Sequence, residues 1–338
     1  MSSVLKRFLI FLLPILALLV LQYLVDPLDI YPGEQLITPV TSHYRFVKTH
    51  DYLYNPDNKR DYDAFIFGSS RVMRLEAAQL KQYGLKAFNY GINMTRAEDY
   101  YCQLRLLLEY NNKPIKLIII GLEPELFSNI WPVHRQLLQV PELSRYLIED
   151  LPLPEAGHED FLQTISDSLR YSFVALWNHL MGIKPSGKYE FDPLTGDYVV
   201  KEPRNSAVKV SSSLMQSLYD IYNDFTELHP SRIAYFNLFI ALCAENNIMV
   251  LGYVTGNHPI LIDFLRQHTE YELILAQAME YWDSIEYEGF SWRDFTSVQA
   301  YGGDPDDFAD LAHIGTYNSE LVVRQLMEVY AIRAATFL

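Results

Sequence analysis

The apolar and polar positions divide this chain into one long apolar run, an alternation of short strands with amphipathic helices, and a helical interruption in the middle. Residues 8–25 (FLIFLLPILALLVLQYLV) carry no charge over a length that just crosses a bilayer. Residues 64–67 (AFIF) and 116–120 (KLIII) are runs of β-forming residues that read as strands buried on both faces. Residues 85–90 and 248–254 read as further strands, with a short one near 295–298. Between them, Thr95 and Glu98 form a capping-box pattern. The helix it opens places Ala97, Tyr101, Leu104 and Leu108 on one face, and Pro114 ends it. Later helices are predicted over about 233–246, 260–280 and 317–335. Strand, helix and strand in this order make a parallel unit with a right-handed crossover.

Residues 125–230 break the alternation. Amphipathic stretches at about 133–149 and 159–181 precede a loop containing Pro185, Gly187, Pro193, Gly196 and Pro203, and a third helix follows 211–213. This is too much chain for a simple connection, so it is read as a helical insertion, a lid or cap over the carboxyl edge of the sheet. The fold expected is α/β, a three-layer sandwich with a parallel sheet. It divides into a membrane anchor (1–26), a membrane-proximal linker (27–60) and one α/β domain (61–338) carrying the insertion.

Composition narrows the setting. The 338 residues are 49% hydrophobic with a net charge of −15, which fits a globular chain and excludes a nucleic-acid partner, since phosphate binding needs clustered cations. Lys6 and Arg7 precede the apolar run, and Asp26 and Asp29 follow it. The positive-inside bias leaves the N-terminus in the cytoplasm and the bulk of the chain outside. No small-x-small cleavage site follows, so the run reads as an uncleaved single-pass anchor with the lipid bilayer as its partner. Pro14 is tolerated in such a helix. Cys102 and Cys243 fall in helical patterns and read as buried free thiols.

The first strand stops at Gly68 and is followed at once by Ser69 and Ser70. A strand ending this way delivers a hydroxyl to the carboxyl edge, where open α/β folds place their sites; equally, such serines cap helices. Asp310 and His313 lie in the last loop, where an Asp can hold an imidazole through Nδ1 and leave Nε2 for a serine proton. Gly91 and the Ser70 N–H are candidate oxyanion donors, with Asn93 adding a side-chain donor. Arg71 and Arg74 either grip an anionic substrate or form a solvated face. His258 sits after a strand at the same edge and, with Arg71 and Glu123, is a candidate substrate contact. His134, His158, His179 and His229 have no ligand spacing and read as structural, and Asp304, Asp306 and Asp307 read as a solvated loop. No metal or cofactor is called for.

Together these motifs resemble the SGNH, or GDSL-type, hydrolases over residues 62–125 and 232–330. Gly68-Ser69-Ser70 matches the first block, which implies Ser70 as nucleophile. Asn89-Tyr-Gly91-Ile-Asn93 matches the second, which implies Gly91 as an oxyanion donor, and Asp310 with His313 matches the last. The chain is similar to membrane-anchored members such as alginate O-acetylation proteins and the D-alanyl-lipoteichoic-acid transfer protein. It departs from the pattern at the third block, where Gly121-Leu-Glu123-Pro124 puts an acid in place of the asparagine donor. An ionised Glu123 beside an oxyanion opposes catalysis, so it is expected protonated or turned away, with Glu123→Asn tolerated. The α/β-hydrolase elbow needs glycine at position 72, where this chain has Val72.

The function expected is extracytoplasmic serine ester chemistry, hydrolysis or O-acyl transfer, on an acylated cell-surface glycan or a small acyl ester. The alternative is a non-catalytic, membrane-tethered accessory protein working with envelope biosynthesis proteins.

Overall fold

The computed structural model describes residues 44–154, 158–182, 191–199, 208 and 210–337, with positions 12, 13, 16–18, 20, 21 and 23–25. Of the apolar run 8–25, positions 8–11, 14, 15, 19 and 22 lie outside the described residues, and the other ten are helical. Among the described residues no helix is long and apolar enough to cross a membrane. The chain forms two compact units, one of residues 1–47 with 156–189, the other of 48–155 with 190–338.

The second unit is built on a five-stranded sheet of β1 (Ala64–Phe67), β2 (Ala87–Asn89), β3 (Leu117–Leu122), β4 (Met249–Val254) and β5 (Phe290–Asp294), in the order β2-β1-β3-β4-β5. Every neighbouring pair is parallel, with Ile66 opposite Ile119 and Ile119 opposite Leu251. Among the described residues the longer helices are α1 (Tyr44–Tyr54), α2 (Ala97–Tyr110), α3 (His158–Met181, in the first unit), α4 (Ser212–Asp224), α5 (Pro230–Glu245), α6 (Pro259–His268), α7 (Tyr271–Asp283) and α8 (Thr316–Phe337).

Strand alternation sends Ala64, Ile66, Leu117, Ile119, Met249 and Leu251 to one face, into a core shared with Leu321, Val322, Leu326 and Met327 of α8. The opposite face is aromatic. The Phe67 ring lies 5.9 Å from Tyr100 of α2 and 6.1 Å from Phe239 of α5, and Tyr52 of α1 meets Phe65 edge-on at 6.0 Å. Helices thus cover both faces of a sheet whose central strands are apolar throughout, as a parallel sheet requires.

Four expectations shift. The fifth strand is Phe290–Asp294, and 298–301 is a 3-10 turn. As an edge strand it exposes Arg293 and Asp294, so it lacks the continuous apolar signature of its neighbours. The helix predicted over 260–280 is two, because Thr269 adopts an extended conformation and its hydroxyl donates to Leu265 O at 2.7 Å. In place of a helix over 133–149 there are single turns, Arg135–Leu138 and Pro141–Ser144, the second restarted by Pro141. Asp99, not Glu98, closes the capping box of α2, accepting from the Arg96 N–H at 2.8 Å. Glu98 is fully buried against Arg232 at 3.1 Å, and Thr95 donates to Gly68 O at 2.7 Å.

The carboxyl edge is shaped around one side chain. A Cβ added at Gly68, Gly91 or Gly121 would lie 2.4, 2.6 or 2.4 Å from a Val72 methyl carbon. Three strand-end glycines therefore wall a slot that Val72 fills, seating the turn after β1 on the sheet. Gly121→Ala should lower the thermal midpoint because Val72 cannot retreat. Val72→Ala alone should cost about 1–3 kcal/mol of buried methyl packing. In Gly121→Ala/Val72→Ala the clash is gone, so the double variant should be more stable than the sum of the single losses, read by a thermal-melt double-mutant cycle. Strict additivity would mean that the slot is not what holds Val72.

Candidate active site

The turn after β1 assigns different work to its two serines. Gly68 takes φ +153°, a conformation reserved for glycine. Ser69 follows in extended backbone and caps the 3-10 turn Ser70–Val72, its Oγ accepting from the Arg71 N–H at 3.2 Å. The capping role is therefore taken by Ser69, and the Ser70 side chain is left for other partners. Its Oγ lies 2.7 Å from His313 Nε2. The Ser70 N–H opens the turn, so it has no acceptor within it.

His313 comes from the loop before α8. That loop is pinched by the Ala309 N–H donating to His313 O at 2.8 Å and by a bridge between Phe308 and Ile314. Asp310 Oδ1 and Oδ2 lie 2.8 and 2.9 Å from His313 Nδ1, and Oδ1 also accepts from the Ala312 and His313 N–H groups at 2.8 and 3.0 Å. A carboxylate facing Nδ1 makes that nitrogen the donor and leaves Nε2 as acceptor for the Ser70 hydroxyl. Burial works against the Asp310 charge. The hydrogen bond and charge of His313, with the two backbone N–H groups, outweigh it and hold the carboxyl below its ordinary value.

Beside Ser70 lies a buried ionic cluster. Arg71 is 8% exposed, with Nη1 3.2 Å from Glu123 Oε2 and Nη2 3.1 Å from Glu125 Oε1. The Ser69 hydroxyl donates to Glu123 Oε1 at 2.5 Å. Burial raises the Glu123 pKa, and Arg71 offsets part of that rise. Burial likewise opposes the Arg71 charge, and Glu123 and Glu125 more than compensate. Glu123 is thus turned onto Arg71 and Ser69, one of the two arrangements its place in the sequence called for.

Ser70, His313, Arg71, Glu123 and Asn93 all line one cleft of about 230 Å³. Leu214, Leu218 and Ile221 of α4 form its apolar wall, so part of the insertion borders the carboxyl edge. Trp131 also lines the cleft, and the Arg96 guanidinium lies over its ring at 3.8 Å.

Two expected contributors lie elsewhere. Gly91 is not a lining residue, and its N–H donates to Asn89 Oδ1 at 2.8 Å, so its donor is already used. His258 is also absent from the lining; it caps α6, Nδ1 accepting from the Ile260 N–H at 3.2 Å, while its own N–H donates to Leu311 O at 2.9 Å. It buttresses the His313 loop and does not face the cleft. Arg71 is committed to two carboxylates, which leaves it neither a solvated face nor a free anion grip. Asn89 enters the sequence reading only as part of the second block, with no role of its own, and Glu125 does not enter it. Asn89 Nδ2 donates to Val72 O and Leu75 O at 2.9 and 2.7 Å, tying the turn to β2. A polar residue inside the run 87–90 was its one visible signal. Both cysteines are buried and free, and among the described residues no group of His, Cys, Asp or Glu could hold a metal.

Removing one partner of a buried ion pair leaves the other charge stranded, so Glu123→Ala should cost about 3 kcal/mol in denaturant unfolding. Glu123→Gln, which keeps an acceptor for Ser69 and Arg71, should cost clearly less, and Glu123→Asn, one methylene shorter, should lie between them and not be neutral. Equal, small costs would remove the clamp assigned to Glu123. Asp310 carries a depressed pKa, so its stabilisation is complete above the ordinary carboxylate value of about 4 and is lost as pH falls through its folded value. The gap in thermal midpoint between wild type and Asp310→Asn should therefore be full above about pH 5 and shrink below about pH 3.

Against this geometry, no family model matches the chain, and no curated protein does.

Proposed function

We propose that the chain is a serine esterase or O-acyltransferase of SGNH type. The observation that carries the reading is the unbroken line from Ser70 Oγ through His313 to Asp310, closed by hydrogen bonds of 2.7 and 2.8 Å across 243 residues of sequence. In this reading His313 Nε2 takes the Ser70 proton as Oγ attacks an acyl carbonyl, and then returns it to the leaving alcohol. Asp310 keeps the imidazole in the needed tautomer and stabilises its charged form. The carbonyl oxygen becomes an oxyanion, and the Ser70 N–H and the Asn93 side chain are the donors on the cleft wall. Water or a sugar hydroxyl then takes the acyl group from Ser70.

The accessory-protein alternative leans on an acid at position 123 weakening the oxyanion hole and on the insertion as a partner surface. Pairing of that acid with Arg71 and Ser69 supports the catalytic reading over it. The motif order resembles the membrane-anchored branch of the family, from which we infer an acylated cell-surface glycan as substrate and a site outside the cytoplasm, with residues 8–25 as the anchor.

A fluorophosphonate probe tests the chemistry directly. Wild type should label at Ser70, Ser70→Ala should not label, and Ser69→Ala should still do so. His313→Ala should slow labelling by roughly 10⁴-fold or more. Labelling that survives Ser70→Ala, or none in folded wild type, would overturn the assignment.

A further inference from the structure

The first compact unit contains a helix face that nothing in the described chain covers. In the C-terminal half of α3, Phe173, Val174, Trp177, Leu180 and Met181 are 56, 38, 59, 71 and 58% exposed. At 3.6 residues per turn these five positions fall within an arc of about 120°. His179 lies on the far side of the helix and is also exposed. A stripe of this width made of Phe, Trp, Leu and Met matches no need of a water-facing helix.

Charge says what covers it. The chain as a whole is at −15, yet residues 168–189 contain no Asp or Glu, and hold Arg170, Lys184 and Lys188 beside His179. The acids of the helix, Glu159, Asp160 and Asp167, are all in its first half. An apolar face carrying a Trp, with Arg170 a turn before it on the same side and no acid in the surrounding sequence, is the pattern of a helix lying in a lipid–water interface, where the apolar side enters the acyl boundary and the cation reaches headgroups. Position agrees. Residues 156–189 form one compact unit with residues 1–47, which contain the apolar run 8–25. Within that run Leu12, Leu13, Leu16, Val20, Tyr23 and Leu24 are exposed as well.

We propose that the C-terminal half of α3 docks on the lipid bilayer, its 173-174-177-180-181 face embedded at the headgroup boundary, as a second membrane contact beside the N-terminal run. The proposal rests on reading residues 8–25 as an anchor and is independent of the Ser70 chemistry. An anchor alone leaves its unit free to tilt against the membrane. A second, amphipathic contact in the same unit restricts that tilt.

Site-directed spin labelling of the full chain tests this. Phe173→Cys, Trp177→Cys, Leu180→Cys, His179→Cys and Leu16→Cys are each labelled with a nitroxide and reconstituted into phosphatidylcholine–phosphatidylglycerol vesicles. Cys102 and Cys243 are buried, and unsubstituted protein gives the background signal. Collision rates with oxygen, which partitions into lipid, and with a nickel chelate, which stays in water, are then compared. The oxygen-to-nickel ratio at 173, 177 and 180 should exceed that at 179 several-fold. A ratio equal to that at 179 overturns the proposal, because the face is then in water. Low accessibility to both reagents overturns it too, since protein then covers the face; dipolar broadening between labels would identify that protein as a second copy. Leu16→Cys separates the layers of the reading. Lipid exposure at 16 with water at 173–180 sinks the α3 contact and leaves the anchor standing, and water at all positions sinks both.

Discussion

Burying a guanidinium one residue after Ser70 constrains everything around it. An unpaired arginine in an apolar interior costs far more than a domain's net stability allows, so carboxylates must come to it. Arg71 is met by Glu123 and Glu125, which stand at the end of β3, the strand next to β1 in the sheet. The strand order is thus what makes the pairing available. The same carboxylate takes the Ser69 hydroxyl, and Ser69 takes the Arg71 N–H, so both neighbours of Ser70 are tied down within one network. A three-residue turn has little rigidity of its own. Here it is held by charge on one side and by Val72 in its glycine-walled slot on the other.

That arrangement changes the meaning of the acid at the third block. An acid in a position where an asparagine donor is expected looks, from residue type alone, like damage to an oxyanion hole. In place it is a counter-ion, and its partner is the arginine that sequence reasoning had treated as a surface or substrate-gripping residue. Neither partner can be read from residue type alone. Whether a charged residue is buried with an opposite charge is a property of the fold, invisible at a separation of about fifty positions. The same holds for Glu98 with Arg232, where a residue expected to cap a helix is instead half of a fully buried ion pair.

What was legible follows from how local its cause is. Strands β1, β3 and β4 were found where they lie because a strand buried on both faces must be apolar at every position, and no other element of that length looks the same. β5, buried less completely, kept polar residues and was placed too late in the chain. Ser70, Asp310 and His313 were found from type and order, since a strand-end hydroxyl and a loop-borne Asp/His pair have few ways to meet except at one sheet edge. Gly91 was found as a glycine with a reason to be one, but the reason was misassigned. It leaves room for Val72 and yields its N–H to Asn89. A sequence shows that backbone must pass closely at such a position; it does not show what passes.

Asn89 also explains why the insertion matters to the sheet and not only to the cleft wall. β2 is an edge strand of three residues, too short to hold a register by itself, and its open side would offer unpaired backbone groups to solvent or to another chain. Residues 191–198 close that side. The Asn89 N–H donates to Thr195 O at 2.7 Å, and the Lys48 ammonium reaches both Asn89 O at 2.8 Å and Gly196 O at 3.0 Å. Burial pushes the Lys48 pKa down to about 7, against the pull of Asp197 and Asp51, so the clamp is held at a real electrostatic cost. Gly196 has φ +66°, and a Cβ there would lie 2.2 Å from Asn89 O, so no other residue lets the loop come this near. From Lys48 the connection runs without a gap through the backbone of Asn89 to its side chain, from there to Val72 O and Leu75 O, and so to the turn that carries Ser70. Ser70 is therefore positioned from two sides, by ions at the end of β3 and by a covered edge at β2.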